Sequence, residues 1–132
     1  MAVALCLIGT TLRKQQYKDG VFTGESRSNY TNEPFWGQAT VEIKNDKIIS
    51  VTFKIVDKEK KEAFGPDYEQ HYKDNPEYIQ QCRNEVKAIK TYTDNYLKTK
   101  DIDQVDAITG ATWSYNIFRD ALNVALDKAK NK

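Results

Sequence analysis

Apolar and polar positions alternate over residues 38 to 57. Ala39, Val41 and Ile43 interleave with Thr40, Glu42 and Lys44, and Ile49, Val51, Phe53 and Ile55 then repeat the period of two. That period belongs to a half-buried strand. Between the two runs lies Asn45-Asp46, two residue types that tolerate left-handed backbone and suit a tight turn. The pattern predicts a hairpin over 38–57. Upstream, GVFTGES (20–26) is β-branched and aromatic but interrupted by Gly24. It predicts a strand with a bulge or a close approach at that glycine. TNEPFWG (31–37) reads as a loop punctuated by Pro34 and Gly37.

Beyond residue 57 the period changes. The charge run at 57–62 reads as a solvated loop. Asn75-Pro76 opens a helix, with asparagine as cap and proline in the first turn. Ile79, Cys82, Val86, Ile89 and Thr93 fall three and four apart, which predicts one buried stripe on a helix running to about Leu97. KTKDIDQ breaks it, and Val105 to Ile108 reads as a short strand. A last helix is predicted from about Ser114 to Lys130. Its apolar face carries Phe118, Leu122, Ala125 and Ala129, with Ile117, Ala121 and Val124 beside them. Strands, helix, short strand and helix together predict an α+β fold: an antiparallel sheet with helices packed on one face.

Composition narrows the function classes. A chain of 132 residues is the size of one domain and buries roughly two-thirds of its unfolded surface. Lys+Arg number 20 and Asp+Glu 19, so the net charge of +1 provides no basic face for nucleic acid. Two cysteines, Cys6 and Cys82, and one histidine, His71, cannot complete a tetrahedral zinc site, and no metal site is expected. Cys82 reads as buried filler. His71 reads as a surface or satisfied histidine, since no carboxylate–histidine constellation surrounds it in the sequence. Residues 1–12, MAVALCLIGTTL, are apolar but shorter than the about 20 residues of a membrane span. They suggest an export or anchor remnant, with a short N-terminal strand or helix covering part of the core as the alternative. Val3-Ala4-Leu5-Cys6 resembles a lipoprotein processing site only in part, because Leu5 is large where a small residue is required. Asn29-Tyr30-Thr31 fits a glycosylation sequon but is too short a motif to carry weight. No P-loop and no G-x-G-x-x-G is present.

The segment DAITGATWSYN (106–116) carries the candidate chemistry. Gly110 permits a turn that a Cβ opposes. Thr112 or Ser114 is then placed to cap the last helix. A helix start also offers free N–H groups and a positive dipole end to a phosphate. The hydroxyls of Thr109, Thr112 and Ser114 surround the small Gly110-Ala111 step, which gives another molecule access to them.

Asp106-Ala107-Ile108-Thr109-Gly110-Ala111-Thr112 resembles the flavinylation motif of the FMN-binding domain family, which includes flavin-carrying subunits of the sodium-pumping NADH:quinone reductase and of the related ferredoxin:NAD oxidoreductase. The family pattern is an aspartate, two variable positions, Ser or Thr, Gly, Ala, and an acceptor Thr or Ser, and all its fixed positions match. Asp19-Gly20-Val21-Phe22-Thr23-Gly24 is similar to the family's opening strand. Trp36-Gly37, Val41, Ile43, Lys47-Ile48 and Val51 are similar to its hairpin. Asp46 stands where the family commonly has glycine. The resemblance covers about 19–57 and 105–129; residues 58–104 find no position-by-position match.

The resemblance implies residues 19–132 as an FMN-binding domain, with 1–18 as an export or anchor remnant or N-terminal extension. It implies FMN on Thr112 through a phosphoester, donated from FAD by a separate Mg-dependent flavin transferase. Asp106 would be a recognition or orienting residue, Thr109, Gly110 and Ala111 would shape the loop, and no residue of the chain is expected to be catalytic. Trp113, Tyr115 and Trp36 are candidate ring contacts, and Ser114 completes the candidate site. The expected role is an extracytoplasmic, membrane-anchored or exported electron carrier between membrane-linked redox partners. A small FMN-dependent reductase and a non-redox binding module that kept the fold are the alternatives.

Overall fold

The structure is a computed structural model that describes residues 15–27 and 33–131. The apolar stretch 1–12, Cys6 and the sequon at 29–31 lie outside the described residues. Four antiparallel strands follow one another in the sheet in chain order. They are β1 (Gly20–Arg27), β2 (Phe35–Lys44), β3 (Lys47–Asp57) and the two-residue β4 (Glu62–Ala63). A 3-10 helix (Pro66–Tyr72), helix α1 (Pro76–Thr99), a 3-10 turn (Ile102–Gln104) and helix α2 (Thr112–Ala129) complete the chain. Both long helices cover the same face of the sheet, and the expected α+β architecture is observed.

The hairpin forms where the alternation places it. Phe35, Ala39, Val41 and Ile43 of β2 face the core, opposite Val51, Phe53 and Ile55 of β3. Asn45 and Asp46 both adopt positive φ, 53° and 62°. Asp46 also accepts the Tyr17 backbone N–H at 2.7 Å, so aspartate ties down the preceding segment as well as making the turn. The parity of the alternation breaks once. A register shift between Glu42 and Ile43 puts Ile48, not Ile49, opposite Ile43. One extra residue in a strand reverses which face the following side chains occupy; Ile48 is therefore buried and Ile49 is 50% exposed. The expected run Ile49-Val51-Phe53-Ile55 is corrected at its first member.

Gly24 marks a close approach and not a bulge, since β1 pairs with β2 in unbroken register from Gly20 to Arg27. A Cβ there would lie 2.2 Å from the Ala121 carbonyl and 2.4 Å from the Ala125 nitrogen. Helix α2 thus crosses β1 with its backbone against the strand. The helix buries Ile117, Phe118, Ala121, Leu122, Ala125 and Ala129, as its spacing predicts, whereas Val124 is 38% exposed beside the strand.

Other expectations need correction. The loop predicted at 31–37 ends early: Phe35, Trp36 and Gly37 already pair with Asp57, Val56 and Ile55. Strand pairing outweighs the punctuation of Pro34 and Gly37 there. The charge run 57–62 is a solvated turn only at 58–61. Asp57 is 1% exposed and accepts the Tyr68 hydroxyl at 2.7 Å and the backbone N–H groups of Glu59 and Lys60, both at 3.0 Å. Burial opposes ionisation of Asp57, but these hydrogen bonds, led by that of Lys60, outweigh it and hold the carboxyl below its usual range. Glu62 belongs to β4. Val105 has extended backbone, but Val105 to Ile108 forms no strand.

Helix α1 begins as predicted, with Asn75 Oδ1 accepting the Tyr78 N–H at 3.2 Å. It runs to Thr99 and ends at Lys100 in the left-handed region, φ 58°. Its buried face is rotated from the expected stripe. Cys82, Glu85, Ala88, Tyr92, Thr93 and Tyr96 are buried, whereas Ile79, Val86 and Ile89 are only partly covered. The helix buries polar groups because the segment before α2 supplies partners for them. At the far end of the sheet, Tyr17 bridges Lys130 and the Lys18 N–H donates to the Ala129 carbonyl at 2.8 Å. Among the described residues, no helix is long and apolar enough to cross a membrane.

Candidate functional site

The motif occupies the junction between the 3-10 turn and α2. Val105 is buried and anchors the segment, while Asp106, Thr109 and Gly110 are exposed. Thr109 and Gly110 form the turn, with Gly110 at φ +84°. A Cβ at Gly110 would touch only Asn84 Nδ2, at 3.5 Å. The backbone angle, and not a lack of space, is what calls for glycine here. Ala111 is fully buried, closes the turn by donating its N–H to the Ile108 carbonyl at 2.9 Å, and sits at the N-cap of α2.

Three side chains on one face of α1 hold this loop. Gln81 Nε2 donates to the Gly110 carbonyl at 2.8 Å. The Tyr92 hydroxyl donates to the Ala111 carbonyl at 2.8 Å and accepts the Ile108 N–H at 3.0 Å. Glu85 accepts the Ser114 N–H at 3.0 Å and, on its other oxygen, the Gln81 amide at 3.0 Å. None of the three stood out from sequence reasoning. The available signal was their spacing, with Gln81, Glu85, Ala88 and Tyr92 forming a polar–small–aromatic seam along α1.

Glu85 overturns two expectations. Neither Thr112 nor Ser114 caps α2. Thr112 is already the first helical residue, and the fully buried Ser114 hydroxyl donates backward to the Ala111 carbonyl at 3.2 Å. The cap comes from another helix: the Glu85 carboxylate serves the Ser114 N–H and faces that of Trp113. The positive end of the α2 dipole therefore already has an anionic partner, and those two N–H groups are not free for a phosphate. Burial is the largest influence on Glu85 and pushes its carboxyl above the usual range, against the hydrogen bonds from Ser114, Gln81 and Trp113. Of the three hydroxyls thought to be accessible, Thr109 and Thr112 are exposed and Ser114 is sealed.

Thr112 is exposed in the first turn of α2, and the next residue, Trp113, lines a cavity of about 170 Å³. Phe35, Phe64, Tyr72, Tyr78, Cys82 and Trp113 provide its apolar walls, and Glu33, Gln81 and Glu85 its polar ones. Trp113 is half-buried and packs edge-on against Phe35 and Phe64, each at 5.3 Å between centroids. Tyr72 and Tyr78 stack at 5.0 Å and 22°. Cys82 is buried as expected, and burial raises its thiol pKa, leaving it a poor thiolate.

The candidate ring contacts separate. Trp113 lines the cavity. Tyr115 is half-buried, lies edge-on to Tyr92 at 5.4 Å, and accepts from Arg119 at 3.2 Å. Trp36 alternates with the inward-facing Phe35 and Gly37, so it lies on the outer face of the sheet, where Lys58 Nζ sits 4.2 Å from its ring centre. The structure does not bring Trp36 to the motif. His71 does have a carboxylate partner, Glu62, at 2.7 Å. The chain brings the two together across β4 and the first 3-10 helix, nine residues apart, too far for a local pattern to show. The residues that line this cavity suit a planar aromatic cofactor. Its walls are mostly aromatic, and the buried Trp113 Nε1 has no hydrogen-bond partner.

Comparison with known proteins gives a consistent picture. The FMN-binding domain family matches residues 32–127, which includes the middle, 58–104, that the sequence resemblance left unmatched. The crystal structure of the CPE2226 protein from Clostridium perfringens is similar in fold. It is 19% identical, with a TM-score of 0.63, and the alignment covers 86% of this chain and 88% of that one. No curated protein matches the chain. With the family matching most of its length and an intact motif at the start of α2, the chain belongs to the FMN-binding domain family.

Proposed function

We propose that this domain is an extracytoplasmic electron carrier whose FMN is held on Thr112 through a phosphoester. Family membership supports FMN as the cofactor and a flavin-binding role. The observation that carries the finer reading is the exposure of Thr112 at the end of a loop held from behind by Gln81, Glu85 and Tyr92. The acceptor is presented outward on a rigid platform, as a substrate for another enzyme must be.

A threonine hydroxyl is a weak nucleophile without a base. The carboxylate that reaches this helix start, Glu85, is engaged with backbone N–H groups behind it. Deprotonation of Thr112 therefore falls to a separate flavin transferase acting with FAD and Mg²⁺. The Thr112 oxygen forms the bond to the FMN-side phosphorus, the bond to the AMP phosphate breaks, and AMP leaves. Asp106, exposed at the other end of the loop, serves recognition, while Gly110 and Ala111 set the loop's shape. FMN supplies reversible electron transfer when bound. The chain's own part is to tether and orient it. A permanent tether also suits a carrier outside the cytoplasm, where a free flavin would be lost.

The test is co-expression of the chain with a flavin transferase, followed by intact mass measurement. A gain of one FMN less one water, absent in Thr112→Ala, is expected. Wild-type protein that stays unmodified with transferase, FAD and Mg²⁺ present refutes the reading.

A further inference from the structure

We infer that the free edge of β3 docks an extended acidic segment of another protein, which adds to the sheet as a further strand. The sheet has two edges, and the chain treats them differently. Along β1, helix α2 lies against the strand at Gly24, and Lys128 Nζ donates to the Thr23 carbonyl at 2.7 Å. Lysine is a common guard of a sheet edge. Along β3, β4 pairs only with Val56 and Asp57, and the Phe64 N–H adds one bond to the Ile55 carbonyl at 2.7 Å. The chain then leaves the sheet at Gly65 and enters the first 3-10 helix. In an antiparallel ladder, alternate residues direct both backbone groups to the same side. Ile55 directs its carbonyl toward β4, so Phe53 and Val51 direct theirs to that side too, where no described residue pairs with them. The side chains show the same opening. Ile48, Val51 and Phe53 keep 8%, 6% and 9% exposure, against 0%, 0% and 2% for Ala39, Val41 and Ile43 of β2.

The surroundings select the occupant. Val86 and Leu97 lie on the flank of α1 away from Gln81 and Ala88 and are only partly covered. On that flank a cleft of about 300 Å³, lined by Gly65, Pro66, Cys82 and Val86 among others, opens where β4 ends. An added strand turns alternate side chains toward this apolar side and the rest toward the outer face. On the outer face, the charged residues of β3 are Lys47 and Lys54, both exposed and joined to no described carboxylate. Lys47 also stands directly opposite Lys44 of β2, a destabilising like-charge pair that an acid on an added strand relieves. Period and charge together specify an extended segment in which acids alternate with apolar residues, the mode in which main-chain bonds give affinity and alternate side chains give specificity. A second copy is the poorer match, because β3 against β3 sets these lysines against one another. The inference is independent of the flavin tether.

The test adds a capped peptide of about eight residues, alternating valine and glutamate, to the full chain, with no FMN required. Amide exchange and NMR shifts report the edge. Val51 and Phe53 amides are expected to exchange fast in the chain alone, and to shift and exchange slowly once the peptide is present. A valine–lysine peptide does not bind, and raised salt weakens the acidic one. Backbone N-methylation of the valines alone or of the glutamates alone separates edge pairing from simple charge attraction: one set abolishes binding and the other spares it. Lys47→Glu with Lys54→Glu weakens binding several-fold while the circular dichroism spectrum is retained; if that variant does not fold, the methylated peptides carry the comparison. Unchanged Val51 and Phe53 amides, an equal effect of both methylated sets, or equal binding of the lysine peptide overturns the inference. So does protection of these amides without peptide, which means that the chain itself covers the edge if sedimentation shows a monomer, and that a second copy does if it shows a dimer.

Discussion

Glu85 is the most informative side chain to perturb, because one carboxylate caps α2, braces Gln81 and borders the cavity. It is 2% exposed. Burial raises its folded pKa above the ordinary 4.5. The sign of the linkage follows. The folded state retains a proton that the unfolded chain has released, so Glu85's contribution to stability is full below the unfolded pKa. It falls as pH rises through the raised folded pKa and is level above it. The slope cannot exceed that of one proton, about 1.4 kcal/mol per pH unit. Glutamine cannot titrate and still offers a carbonyl to the Ser114 N–H. Urea unfolding of wild type and Glu85→Gln, followed by circular dichroism from about pH 4.5 upward, isolates this term. Opposite slopes from carboxylates with lowered pKa, such as Asp57 and Glu25, cancel in the difference between the two proteins. The expected result is a difference that moves in favour of Glu85→Gln as pH rises and then levels off. Glu85→Ala removes the cap and strands a buried N–H, with an expected loss of about 1–3 kcal/mol. Parallel wild-type and Glu85→Gln curves across the whole range refute the argument that a buried, titrating carboxylate caps this helix.

Other residues give simpler tests. Thr112→Ala abolishes the FMN mass gain yet shifts stability by no more than about 0.5 kcal/mol, as suits an exposed residue whose hydroxyl is not the cap; thermal unfolding and intact mass check both. Gly110→Ala forces a Cβ into φ +84° and costs about 1–2 kcal/mol in urea unfolding, with slower flavin attachment by the transferase. Tyr92→Phe removes both hydrogen bonds to the loop and is expected to cost about 1–3 kcal/mol, with faster amide exchange at Ile108 and its neighbours. Gly24→Ala drives a Cβ into the α2 backbone, where overpacking costs about 1–3 kcal/mol and lowers the melting temperature.

Local patterning determined much of this protein. The alternation at 38–57 specifies the hairpin, because a strand with one buried face must repeat every two residues. Asn45-Asp46 and Asn75-Pro76 carry their turn and helix start in their own backbone preferences, and the apolar spacing from Ile117 to Ala129 specifies the buried face of α2. The motif at 106–112 was legible as a glycine turn leading to a helix with an open hydroxyl. Only the tertiary structure decided the rest. The bulge that buries Ile48 and turns Ile49 outward arises from pairing with a second strand, which no single-strand period reveals. The buried face of α1 is set by what it meets, since Glu85 and Tyr92 look like surface residues until a loop 16 to 29 positions away supplies their partners. Trp36 and Trp113 are equivalent by type, but the sheet puts them on opposite faces. Side-chain chemistry and short-range period act within a few residues. The partners that satisfy a buried carboxylate or wall a cavity are chosen by packing across the whole chain.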